Sequence, residues 1–135
     1  YISECLDSCI NQTLQDIEII IVDDCGSDKS IDIVKEYAKS DNRIKIIYNK
    51  QNQGPFVSRN NAAIKARGEY LLCLDSDDIL DLRACEIAYN ASKVHNGIYP
   101  IGILHDLIKD SGVGCVCQSI FLPTPSFVQV LPVCH

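Results

Sequence analysis

The chain has no methionine, so Tyr1 is not a translation start, and we expect a fragment or a processed polypeptide. It has no run near the ~18 apolar residues of a membrane span and no basic-then-apolar leader. Nothing directs it out of the cytosol. The expectation is a cytoplasmic protein, with peripheral attachment at the inner face of a membrane as the furthest departure. A basic stripe is missing too: the net charge is −6, which argues against nucleic acid as a partner. Zinc-like spacing is absent from the eight cysteines, because no C-x-x-C pair exists and Cys115-x-Cys117 has no second pair to match it. Cys5 and Cys9 stand one helical turn apart and Cys73 lies inside an apolar run, so buried, reduced thiols are expected over metal ligands or disulfides. His95, His105 and His135 form no ligand set and read as solvated or structural. The last absence is local. Residues 111–135 hold no Asp, Glu, Lys or Arg, while all thirty charged residues precede them. Native segments of that length ordinarily carry charge to keep an exposed side wet. With three prolines in 111–135 breaking any period, 96–135 is expected to be an atypical tail. It would be poorly packed through a shifted reading frame or disorder, or else form a hydrophobic edge docked on a partner.

What remains is 135 residues of ordinary globular composition, enough for one domain with a real core. Its centre is Tyr70–Asp81, YLLCLDSDDILD. Tyr70 to Leu74 is an unbroken apolar run, as in a strand buried on both faces of a mainly parallel sheet. Asp75, Asp77 and Asp78 follow at once, and ligands of open α/β sheets collect beyond the carboxyl ends of the strands. In extended chain Asp75 and Asp77 would point to one side. Like charges that close need solvation, protonation or a cation, and Asp-x-Asp oxygens suit Mg²⁺ or Mn²⁺. An acidic loop with Asp78 or Asp81 capping the next helix explains the same residues, and spacing alone leaves both readings open.

Ile2, Cys5, Leu6, Cys9 and Ile10 recur at helical spacing, and Gln12–Asp16 reads as a polar link. Ile17–Val22 is a β-branched strand that delivers Asp23 and Asp24 to its end. Gly26 allows a turn, and Ser27 or Asp28 would cap a helix with Ile31, Val34, Tyr37 and Ala38 on one face. Ile44–Tyr48 is a third strand, followed by a loop through Pro55 and a helix over 56–66 whose Ala62, Ala63 and Ala66 permit close packing. Arg59 lies near the start of that helix, where an anion is favoured, although an exposed surface arginine is the simpler reading. A helix over 82–95 closes the regular part. The alternation α-β-α-β-α-β-α predicts an α/β fold with a doubly wound, mainly parallel sheet and flanking helices.

Three ordered motifs, IIIVDDCGSD (19–28), NQGPFVSRNNAAIKARGEY (52–70) and LLCLDSDD (71–78), closely resemble inverting family-2 glycosyltransferases of the GT-A, Rossmann-like fold. They are most similar to bacterial enzymes of surface polysaccharide and lipopolysaccharide biosynthesis. The opening YISECLDSCINQTLQDIE resembles that family's first helix, so the resemblance covers roughly residues 1–92, and 1–95 is expected to be a partial nucleotide-sugar-binding domain. It implies that Asp24, with Asp23 beside it, recognises the nucleotide base. Arg59 would reach towards the nucleotide or diphosphate. Asp75, Asp77 and Asp78 would contact the ribose and a Mg²⁺ or Mn²⁺ ion bridging the phosphates. The implied partners are a nucleotide-diphospho-sugar donor, UDP-linked, and a glycan or lipid-linked acceptor.

Two departures accompany the resemblance. The family's opening strand, which ends in a Pro-x-Tyr-Asn-like turn and lies between the strands ending at Asp24 and Asp75, is not found ahead of the first helix. No residue after Asp81, Asp106 and Asp110 included, matches the acidic general base. The chain is therefore expected to pair the two strands directly, fill the gap with another segment or stay loose, and to show no transfer by itself. A non-catalytic truncated product with residual nucleotide binding is the alternative. A phosphoryl-transfer domain is weaker, because no strand ends in Lys as a receiver needs, and Ile79 is a loose substitute for the Thr or Val of a phosphatase.

Overall fold

A computed structural model describes residues 1–68, 70–94 and 127–133. The elements run α1 (Ile2–Ile10), β1 (Ile17–Asp23), α2 (Ser30–Ser40), β2 (Ile44–Tyr48), α3 (Gly54–Lys65), β3 (Tyr70–Cys73), α4 (Ala84–Val94) and β4 (Phe127–Val133). The sheet order is β2-β1-β4-β3. Every pairing is parallel: Ile19 faces Ile44, Ile17 faces Phe127, and Tyr70 faces Phe127. All four strands therefore end at one edge, to which β1 delivers Asp23 and Asp24 and the chain after β3 delivers Asp75.

Burial follows the sequence pattern. Ile19, Ile20, Ile21 and Val22 of β1 are at most 1% exposed, which covered faces on both sides of a parallel sheet require. The apolar face of α1 (Ile2, Cys5, Leu6, Cys9) joins them, with Val34 of α2, Ala62 of α3 and Cys85 and Ala88 of α4. Cys5, Cys9, Cys73 and Cys85 are buried free thiols, as expected, and Cys25 is exposed. Burial pushes the Cys85 thiol up to about 12, while the neighbouring Cys5 thiol and then burial raise that of Cys9. The other three cysteines and the three histidines lie outside the described residues.

The structure differs from the sequence expectations in two places. Residues 127–133, expected within a poorly packed tail, form β4 and fill the gap between β1 and β3. Strands inside parallel sheets characteristically read as apolar runs without charge, and β4 is paired along both edges. Pro132 fits because pairing with β3 ends at Val130, leaving β1 as its described neighbour there. The rest of the tail, 95–126 and 134–135, lies outside the described residues. Secondly, β3 ends at Cys73, and the amide of Asp78 donates to the Asp75 carbonyl at 3.0 Å. The acidic segment is a turn, so the extended-chain argument for Asp75 and Asp77 does not hold.

Candidate functional site

β1 ends in two adjacent carboxylates with different surroundings. Asp23 is half-buried, and its Oδ1 accepts the Gly26 amide at 3.3 Å. Asp24 has 0% exposure. Its Oδ1 accepts from Asn49 Nδ2 (2.7 Å) and the Gln53 amide (2.9 Å), and its Oδ2 accepts the Gly54 amide (2.7 Å). Burial alone would raise the Asp24 carboxyl, but the bonds from Asn49, Gln53, Gly54 and Ser58 outweigh it and hold the group below its ordinary range. Asp24 thus satisfies amides at the start of α3, which have no partner within the helix. Gly54, at φ +80, turns the chain into position for that contact, and a side chain would be strained there. Pro55 follows where a missing amide costs nothing. The helix therefore starts two residues before the expected Phe56.

Asn49 is the hub that sequence reading missed. Its Nδ2 also donates to Ser58 Oγ at 2.9 Å, and its Oδ1 accepts from Asn61 Nδ2 at 3.0 Å. Its own amide donates to the Asp23 carbonyl at 2.9 Å. The loop after β2 and the first turns of α3 are thereby fixed to the end of β1. Asn49 sits in a stretch whose composition says only loop, and its partners lie up to 25 residues away.

One turn into α3, Arg59 Nη2 forms an ion pair with Asp75 Oδ1. The guanidinium is largely covered (23% exposed) and the carboxylate is half open (51%). The structure thus joins two residues that the sequence placed 16 positions apart, on α3 and after β3. Asp77 is exposed and Asp78 half-buried. The helix-capping role belongs to Asp81: its Oδ1 accepts the Arg83 amide at 2.9 Å and its carbonyl accepts the Ala84 amide at 3.1 Å.

Asp75, Asp77 and Asp78 are hard-oxygen donors of the kind Mg²⁺ or Mn²⁺ accepts, often one or two at a time with water and phosphate completing the shell. No group of three or more His, Cys, Asp or Glu side chains among the described residues is arranged to hold a metal ion. The donor set fits a cation completed by its substrate rather than a closed protein cage. No helix of the described residues is long and apolar enough to cross a membrane.

Comparison with known proteins agrees with this architecture. The sequence model described as glycosyl transferase family 2 matches residues 1–120. A poly(ribitol-phosphate) beta-glucosyltransferase of Bacillus spizizenii is 43% identical over 133 residues, covering 96% of this chain and 20% of that protein. Glycosyltransferase GlyG of Streptococcus pneumoniae is 31% identical over 112 residues, covering 83% of this chain and 37% of that protein. The crystal structure of S. aureus TarS 1–349 in complex with UDP superposes with a TM-score of 0.65 at 32% identity, over 71% of this chain and 29% of that one. The chain therefore spans between 20% and 37% of these relatives. The family match and the relative from Bacillus spizizenii both extend well past residue 92, where the motif resemblance ends. By the family match, the ordered motifs and the fold together, the chain belongs to glycosyl transferase family 2.

Proposed function

We propose that this chain is the donor-binding part of an inverting glycosyltransferase of bacterial cell-surface glycan synthesis, with a UDP-sugar as donor and a glycan or lipid-linked acceptor. Family membership and the UDP complex of the related TarS support the donor class. The relative acting on poly(ribitol phosphate) supports a surface polymer. Work on a lipid-linked acceptor would place the protein at the inner face of the membrane.

The observation that carries the proposal is the Arg59–Asp75 pair beside exposed Asp77, at the carboxyl edge of a parallel sheet. A partly exposed pair is worth about 0–1 kcal/mol, so a ligand displaces it at little cost. Arg59 then turns from Asp75 to the diphosphate as a bidentate donor. Asp75 would face the ribose, and one or two of Asp75, Asp77 and Asp78 would hold Mg²⁺ or Mn²⁺ in a shell that water and phosphate complete. Such a cation, when bound, neutralises charge on the departing nucleoside diphosphate. Asp23 stands at the same edge for the base. Asp24 serves the site through α3, which it anchors.

Titration calorimetry with UDP, with and without Mn²⁺, tests this. UDP should bind more tightly with the cation. Asp77→Ala should abolish that enhancement, and Arg59→Ala should weaken binding about tenfold or more through loss of a charge-assisted contact. Equal affinities in wild type and both variants would return the edge to an acidic surface loop.

A further inference from the structure

The segment that carries Asp75, Asp77 and Asp78 has few backbone bonds of its own, the turns Asp78–Asp75 and Ala84–Asp81 among them. Its position is set from outside, by α1 and by Gln12 and Thr13 of the link that follows. Ser8 Oγ accepts the Leu80 amide at 3.0 Å while donating to the Cys5 carbonyl at 2.7 Å. Cys5 Sγ donates to the Asp75 carbonyl at 3.5 Å. Gln12, with 0% exposure, donates through Nε2 to the Ser8 carbonyl (2.9 Å) and the Asp81 carbonyl (2.6 Å), and its Oε1 accepts the Cys85 amide (2.9 Å). The Thr13 amide adds a bond to the Leu82 carbonyl at 2.9 Å.

These contacts reach the segment at Asp75, Leu80, Asp81, Leu82 and Cys85, and each is made to a backbone atom. Gln12 is the strongest, since one neutral side chain holds both ends of the turn from Asp81 to Cys85. A buried amide left half-bonded is costly, so Gln12 and its partners fix one arrangement of the loop. From this geometry we propose that Gln12 and Ser8 are positioning residues for the donor site: they hold the Asp75–Asp81 segment where its carboxylates meet the diphosphate and its cation. The inference rests on the donor-site reading above. It assigns no contact with the ligand to either residue. Groups bonded directly to ligating side chains change metal affinity about 10–100-fold when removed, and Ser8 and Gln12 act one step further out, through the backbone that carries the carboxylates.

The test uses the whole chain with Gln12→Leu, Ser8→Ala and the conservative Ser8→Thr. Hydrogen exchange is read in the ligand-free protein at the amides of Leu80, Cys85 and Ile19–Val22. Mn²⁺·UDP affinity is read by calorimetry. Gln12→Leu and Ser8→Ala should speed exchange at Cys85 and Leu80 respectively, leave the β1 amides protected, and weaken Mn²⁺·UDP binding about tenfold or more. Ser8→Thr keeps the hydroxyl and should restore both readouts. Binding that stays at the wild-type value while the loop amides open would overturn the proposal. So would β1 amides that lose protection together with the loop, since Gln12 would then be a general stabiliser. If the wild-type chain binds no Mn²⁺·UDP, the donor-site reading fails instead. The positioning role then falls with it, and selective opening of Leu80 and Cys85 tells that outcome apart from a failure of the loop contacts themselves.

Discussion

Cys25 adopts φ +62, a left-handed conformation that costs an L-residue about 1–2 kcal/mol. Its Sγ contact to the Asn49 carbonyl at 3.3 Å is exposed and gives little back. Glycine removes the strain but adds about 0.5–1 kcal/mol of unfolded-state freedom. Cys25→Gly should therefore raise stability by up to about 1 kcal/mol, read as a higher urea midpoint. A lower midpoint would mean that the thiol contact matters more than the backbone. Asp24 gives the opposite case, a residue whose context favours it. Its folded carboxyl titrates below its ordinary range of about 3.9, so the unfolded chain takes up the proton first. The resulting stability is complete above that range and is lost as pH falls through the folded value. Asp24→Asn should be less stable than wild type near neutral pH, and the gap should narrow below about pH 4. A gap independent of pH would show that the Gln53 and Gly54 amides gain nothing from the charge.

At the scale of elements, most of the chain was legible before any coordinates. The β-branched run Ile17–Val22 and the apolar run from Tyr70 have lengths and flanks that only buried strands satisfy, and both formed. Helix faces in α1 and α2 followed from apolar spacing, down to Val34. Boundaries were less legible where distant groups set them: α3 begins at Gly54 because Asp24, thirty residues away, meets its amides. The acidic segment is anchored at Leu80, Asp81 and Cys85 by Ser8 of α1 and Gln12 of the link after it, about 70 residues away in sequence. No local pattern encodes such contacts, and Gln12 read only as a polar link. Asp23, Asp24 and Asp75 reached one edge as the alternation of elements foretold, since parallel strands all end on the same side of the sheet. β4 was missed for a different reason. Its Val128, Val130 and Val133 give a strand composition, but prolines and the absence of charge drew the reading towards disorder.

The whole molecule depends on that strand. Phe127 pairs with both Ile17 and Tyr70, so the sheet closes only when the far end of the chain returns to its beginning. Seven register positions join β4 to β1 and four join it to β3. Without β4, those stretches would present unpaired amides and carbonyls at about 1–3 kcal/mol each when buried, against a typical domain stability of about 5–15 kcal/mol. Direct pairing of β1 with β3 would bring Asp24 towards Asp75 and crowd the edge proposed for the nucleotide. A chain ending before Phe127 should therefore lose cooperative thermal unfolding, protection of the Ile19–Val22 amides and UDP binding together. An exposed strand edge accepts an added strand through main-chain bonds, so a peptide of residues 127–133 with lysines for solubility should restore all three. The same peptide with Gln129→Pro loses a ladder amide in the stretch paired on both sides and should restore none. Cooperative melting and intact β1 protection in the shortened chain, with no peptide present, would show that β1 and β3 close the sheet by themselves and that β4 is an accessory to it.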